Sequence, residues 1–194
     1  MTTEPVRVLG ISGSLRKRSL NGALLRAAIR IATEDGLPIV FETADIGALP
    51  LYDEDLRAAG WPEPVARLRR SFETNDAVLF VTPEYNYSVP GVLKNAIDWA
   101  SRPDGKTPSP MTGKPFAVMG ASSGMSGTMR AQYHLRQIAV FLDMHAVNKP
   151  EIFVRQGNDA FDADLNLKDE TVRKLVGQLL AALVAWTRRL GPQV

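Results

Sequence analysis

The sequence predicts an α/β fold: a doubly wound, five-stranded parallel sheet in the order 2-1-3-4-5, with helices on both faces. Three observations carry this. Short apolar stretches alternate with helical periodicities along the whole chain, as they do when helices cover a parallel sheet. Ala77-Val78-Leu79-Phe80-Val81 is apolar without alternation, as a strand covered on both faces must be. The loops rich in glycine and hydroxyls follow strands directly, at the end of the sheet where the ligand crevice of such folds opens.

Val6 to Ile11 reads as the first strand and leads into the turn Ser12-Gly13-Ser14. Leu20, Leu24, Ala27, Ala28 and Ile31 repeat at helical spacing, with Ser19 placed as N-cap, until Gly36-Leu37-Pro38 breaks the helix. Ile39 to Glu42 is the second strand. Asp45 to Trp61 reads as loop, punctuated by Pro50 and Gly60, and Pro64 to Thr74 as helix. The third strand, Ala77 to Val81, precedes a helix opened by Pro90 and running to Ala100. After a loop at 102–112, Phe116 to Met119 is the fourth strand. Gly124 to Gly127 leads into a helix with Leu135, Ile138, Ala139 and Leu142 on one face. His145 to Val154 holds the last strand, interrupted by Pro150. Val172, Leu175, Val176, Leu179, Leu180, Leu183 and Val184 mark a long final helix, with Asp169 and Glu170 in its first turn.

The 194 residues suit one domain, 1–194, with a core that needs no staple. The absence of cysteine excludes disulfides, thiolate metal sites and a cysteine nucleophile, and two histidines make a histidine metal site a poor expectation. The net charge of +2 argues against a general nucleic-acid binder. No apolar run is long enough to span a membrane, and Met1-Thr2-Thr3-Glu4-Pro5 lacks a signal-peptide layout, so a cytoplasmic location is expected. Charge is unevenly spread. Pro5 to Thr33 carries Arg7, Arg16, Lys17, Arg18, Arg26 and Arg30 with no acid, whereas Glu34 to Glu63 carries eight acids and only Arg57 as a base. That contrast places a candidate anion site near the N-terminus.

Three loops collect the chemistry. The first, Gly10 to Asn21, combines backbone amides at a helix start, the hydroxyls of Ser12, Ser14 and Ser19, and the guanidinium of Arg16, a donor set suited to phosphate. Its glycine spacing matches neither the dinucleotide fingerprint nor a Walker loop; Gly105-Lys106-Thr107 has Ala100 where the Walker pattern requires glycine. The second, Thr82 to Gly91, sets Tyr85, Asn86 and Tyr87 at the end of the most buried strand, able to line a flat aromatic ligand. Glu84 reads as a structural or ligand-positioning carboxylate. The third, Gly120 to Thr128, has glycines that admit close approach to its backbone. It also matches G-x-S-x-G, which would make Ser122 a hydrolase nucleophile. The downstream His134 has no acid between it and the loop. Asp143 and His145 are too close in sequence to fill two separated triad roles easily, so the hydrolase is the weaker alternative.

Gly-Ser-Leu-Arg-Lys-x-Ser-x-Asn at Gly13–Asn21, Pro-Glu-Tyr-Asn at Pro83–Asn86 and Arg-Ala-Gln-Tyr-His-Leu-Arg at Arg130–Arg136 resemble the NAD(P)H-dependent FMN reductases, and most of all the bacterial chromate/quinone reductases. The resemblance runs from about Val6 to Val154. It implies a flavodoxin-like fold, FMN as cofactor and NAD(P)H as co-substrate. It places the phosphate on Gly13, Ser14, Arg16, Ser19, Leu20 and Asn21, and the isoalloxazine on Pro83, Glu84, Tyr85 and Asn86. A third contact falls on Ser122, with Ser123 and Gly124 beside it. It implies a ping-pong passage of two electrons to quinones, azo compounds or oxidised metal ions such as chromate, with no side-chain nucleophile. It also implies a homodimer or homotetramer in which Tyr85 or the Arg130–Arg136 helix serves a neighbouring subunit. A flavodoxin-type electron carrier is the remaining alternative, disfavoured by an isoelectric point near 9.0.

Overall fold

β1 (Val6–Ser12), β2 (Ile39–Ala44), β3 (Ala77–Val81) and β4 (Pro115–Ala121) lie parallel in the order β2-β1-β3-β4 in the computed structural model, which describes residues 4–191. Met1-Thr2-Thr3 and residues 192–194 fall outside the described residues, and with them the ends of the expected domain and most of the Met1–Pro5 segment. Two short strands, β5 (His145–Ala146) and β6 (Ile152–Val154), share the fifth position. β5 pairs with Pro115 and Phe116 at the start of β4, and β6 with Met119 to Ala121 at its end. The order 2-1-3-4-5 is thus observed, with its last strand split into two. Pro150 lies in the gap and has no N–H to give to a ladder.

β3 shows why the sheet needs helices on both sides. All five of its residues are buried. Ala77, Leu79 and Val81 join the core under α1 (Leu20–Glu34) and α7 (Glu170–Leu190). Val78 and Phe80 join the core under α3 (Glu63–Thr74), α4 (Gly91–Ala100) and α5 (Met129–Phe141). Each large apolar side chain buried in this way contributes roughly 1.5–3 kcal/mol.

The Ser19 cap is observed: its Oγ accepts from the backbone N–H of Asn21 and of Gly22, both at 3.2 Å. Asp169 differs from expectation. It lies one position outside α7 as N-cap, accepting from the Val172 N–H at 3.0 Å, and only Glu170 sits in the first turn. The stretch Asp45 to Trp61 is not all loop. It contains α2 (Glu54–Ala58), capped by Asp53, and none of its residues is buried. A second short helix, α6 (Gly157–Ala160), follows β6.

Candidate functional site

The loops after β1, β3 and β4 converge because these strands are neighbours in the sheet. Their meeting point is a cavity of about 170 Å³ lined by Ser14, Arg16, Ser19, Leu20, Asn21, Pro83, Glu84, Tyr85, Ala121, Ser122 and Ser123. Gly13, Asn86 and Gly124 stand off it. Gly13 lies beneath: its N–H donates to Val81 O at 2.8 Å, and a Cβ there would sit 3.0 Å from Thr82 Oγ1 and 3.1 Å from Leu93 Cδ2. Glycine thus lets the first loop close onto the second. Asn86 is exposed at a turn tip. Gly124 is exposed in the third loop, its N–H donating to Ser122 Oγ at 3.0 Å.

At the first loop, α1 has no acid in its first turn, so the positive end of its dipole is uncompensated. Among the described residues the Leu20 amide has no acceptor, and the Arg16 guanidinium has no hydrogen-bond or ion-pair partner. Ser19 Oγ accepts from two amides but keeps its own proton to donate. Asn21 has a different task from its neighbours. Its Nδ2 donates to Ala121 O and its Oδ1 accepts from Ala121 N, both at 2.9 Å, and the residue is buried. It clamps the start of α1 to the end of β4. We expect Asn21→Ala to cost about 2 kcal/mol in a urea melt, because the Ala121 peptide is then buried unpaired.

The side chain of Glu84, in the second loop, is only 5% exposed. Its carboxylate accepts from the backbone N–H of Arg130 at 2.9 Å and of Ala131 at 3.2 Å, from Arg130 Nε at 2.6 Å, and from Arg130 Nη2. Thr128, the residue before α5, has φ of 72° and gives no side-chain cap. Glu84 therefore caps α5 from a loop 46 residues away in sequence. Burial pushes its carboxyl up, but the guanidinium and the two helix amides outweigh this and hold it below the usual carboxylate range. A native value below the unfolded one means stability that is present above the unfolded value, about 4.3, and lost as the pH falls through the native value. Glu84→Gln is expected to destabilise by about 2 kcal/mol near neutrality. The gap to wild type should narrow in melts at about pH 3. A carboxylate tied in this way is a cap and a positioner, not a free base.

In the third loop, Ser122 N–H donates to Val154 O at 3.0 Å and Gly157 N–H donates to Ser122 O at 2.8 Å. Among the described residues no hydrolase triad forms around Ser122. His134 Nδ1 lies 2.9 Å from Ser88 Oγ, and His145 pairs with Pro115 at the far end of β4. Gly120, one of the third-loop glycines expected to admit close approach, admits the second loop rather than a ligand and brings β4 close to it. A Cβ there would sit 2.2 Å from Thr82 O and 2.3 Å from Thr128 Oγ1. A larger concavity of about 340 Å³ lies between β5 and α7 beside Trp186 and Arg189, away from the three loops. Its walls are mostly apolar, without the cluster of donors found in the smaller cavity.

The fold and this cleft define a flavodoxin-like α/β protein with a donor-rich helix start beside an aromatic turn. The NADPH-dependent FMN reductase family model matches residues 6–159, and the chain belongs to that family. It is 53% identical over 188 residues to the NAD(P)H-dependent FMN reductase PA1204 of Pseudomonas aeruginosa, covering 97% of this chain and 98% of that protein. It is 45% identical over 188 residues to an NADPH:quinone oxidoreductase of Arabidopsis thaliana, covering 95% and 93%. Among solved structures, the flavoenzyme NAD(P)H:(acceptor) oxidoreductase FerB of Paracoccus denitrificans superposes with a TM-score of 0.85 at 39% identity, covering 96% of this chain and 99% of FerB.

Proposed function

We propose that the chain is an FMN-dependent oxidoreductase that takes a hydride from NAD(P)H and passes two electrons to quinones. Azo compounds and oxidised metal ions such as chromate are further acceptors. The observation that carries this is the pairing, in one cleft, of unpaired donors at the start of α1 with the exposed Tyr85 turn. The donor set fits a phosphate monoester: Arg16 offers a two-pronged contact, Ser19 a hydroxyl proton, and Leu20 an amide at the positive end of α1. Ser14 adds a second hydroxyl. Pro83, Tyr85 and Asn86 flank the ring, Ser122, Ser123 and Gly124 meet its other edge, and Gly13, Asn21 and Glu84 hold the three loops in place. FMN, when bound, supplies the electron chemistry. The chain supplies position, excludes water from one ring face, and offers backbone N–H groups where negative charge develops.

The order is ping-pong, because one open face must serve NAD(P)H and acceptor in turn. A quinone takes up the hydride's two electrons and proton plus one proton from solvent, and leaves as hydroquinone. Initial rates of NADPH oxidation with a benzoquinone should give parallel double-reciprocal lines. Intersecting lines contradict the order. FMN uptake without NADPH oxidation would leave an electron carrier instead.

The assembly we propose is a homodimer or homotetramer in the cytoplasm. Among the described residues no helix is long and apolar enough to cross a membrane. α5 buries Leu135 and Ala139 on one face yet leaves Val140 and Phe141 at its end 80% and 85% exposed, with Met129 and Tyr133 also exposed earlier along the helix. A second copy would cover these exposed apolar side chains. Sedimentation equilibrium should give a dimer or tetramer, with Phe141→Glu shifting it toward monomer. A wild-type monomer contradicts the assembly.

A further inference from the structure

The turn that carries Tyr85 closes on itself. Tyr85 N–H donates to Ser88 O at 3.1 Å and Ser88 N–H to Tyr85 O at 3.0 Å. The two residues at its tip, Asn86 and Tyr87, have φ of 49° and 68°. Asparagine tolerates the left-handed region; a bulky aromatic resists it unless its surroundings impose it. Those surroundings are α5. The Arg130 guanidinium carbon lies 3.6 Å from the Tyr87 ring centroid, while the same guanidinium grips Glu84 through Nε and Nη2. One turn further along α5, His134 Nδ1 meets Ser88 Oγ at 2.9 Å. A single arginine therefore holds both the residue before the turn and the residue at its tip.

We propose that Arg130 is a positioning residue for the cleft. By gripping Glu84 and stacking on Tyr87 together, it fixes where Tyr85 and the turn backbone stand against a bound flavin ring. This rests on the function proposed above. The chemistry singles out arginine. A planar fork can bind a carboxylate edge-on and stack on an aromatic face at once; a lysine ammonium supplies the charge but not both contacts. Loss of Arg130 also does not empty the Glu84 site. Two backbone N–H groups of α5 still reach that carboxylate, so the helix stays capped while the tip of the turn is released.

The test compares FMN-loaded wild type, Arg130→Lys and Arg130→Met by the visible circular dichroism of the bound flavin, FMN affinity and steady-state rates with a benzoquinone. Arg130→Met is expected to alter the flavin dichroism and to raise the quinone KM about tenfold, with a smaller change in kcat. Arg130→Lys is expected to recover the affinity in part but not the dichroism. Tyr87→Gly, which removes the stack while easing the backbone, should change the dichroism with no loss of melting temperature. Variants that melt lower but keep the wild-type dichroism and KM would overturn the proposal, since a purely structural arginine predicts that result. If Arg130→Met does not fold, Arg130→Lys and Tyr87→Gly carry the comparison. A wild type that takes up no FMN would overturn the proposed function; a loaded wild type matched by its variants would overturn only the role of Arg130.

Discussion

Arg16→Ala is expected to weaken FMN binding by about 2 kcal/mol, close to thirtyfold, while leaving the fold intact. The two effects separate because the Arg16 side chain is exposed and its guanidinium touches no hydrogen-bond or ion-pair partner among the described residues. No side-chain hydrogen bond or ion pair among the described residues is lost, so the melting midpoint should stay within the range of an ordinary surface substitution. A bound phosphate would lose charge-assisted bonds from a fork already at the mouth of the cleft. Arg16→Lys should recover part of the loss, because an ammonium keeps the charge without the two-pronged geometry. Fluorescence titration of FMN against each variant gives the affinities. An unchanged affinity in Arg16→Ala would remove Arg16 from the phosphate site.

Gly120→Ala is expected to be the most damaging single-methyl change in the cleft, costing about 3 kcal/mol or more. The added carbon would sit 2.2 Å from Thr82 O, a backbone atom, and 2.3 Å from the Thr128 hydroxyl. Neither yields cheaply. Thr82 N–H is bonded to Met119 O at 3.0 Å, and Thr128 Oγ1 accepts from Gln132 Nε2 at 3.0 Å. The strand end and the second loop must therefore part, and the cleft widens as stability falls. Urea melts measure the first effect and FMN titration the second. Gly124→Ala is the control: a Cβ there would meet only Ser122 Oγ, at 3.5 Å. Equal stability for the two variants would contradict the close approach at Gly120.

Features written in contiguous residues were legible. Ala77–Val81 has no polar member, so its burial on both faces needed no partner to be seen. Ser19 stands one residue before a helical repeat, which is sufficient for an N-cap. α2 escaped because it buries nothing; only Asp53 marks it, and an aspartate in a loop is ambiguous. The break at Pro150 was visible, but two strands pairing with opposite ends of β4 depend on the neighbour as much as on the proline. The site divides along the same line. Its three loops and the structural character of Glu84 could be read from their residues, whereas the role of Asn21 and the partner of Glu84 could not. One closes on a peptide 100 residues away and the other on a helix 46 residues away. A buried amide beside a phosphate-like loop looks like a ligand donor until its tertiary partner is known.

The most direct measurement compares FMN with riboflavin by isothermal titration on one preparation of the flavin-free protein. The two share the ring and differ by the phosphate. If the start of α1, Ser19 and Arg16 hold that phosphate, FMN should bind at least a hundredfold more tightly, since two or three charge-assisted bonds separate the two ligands. Equal affinities, or no uptake of FMN at all, would contradict the account.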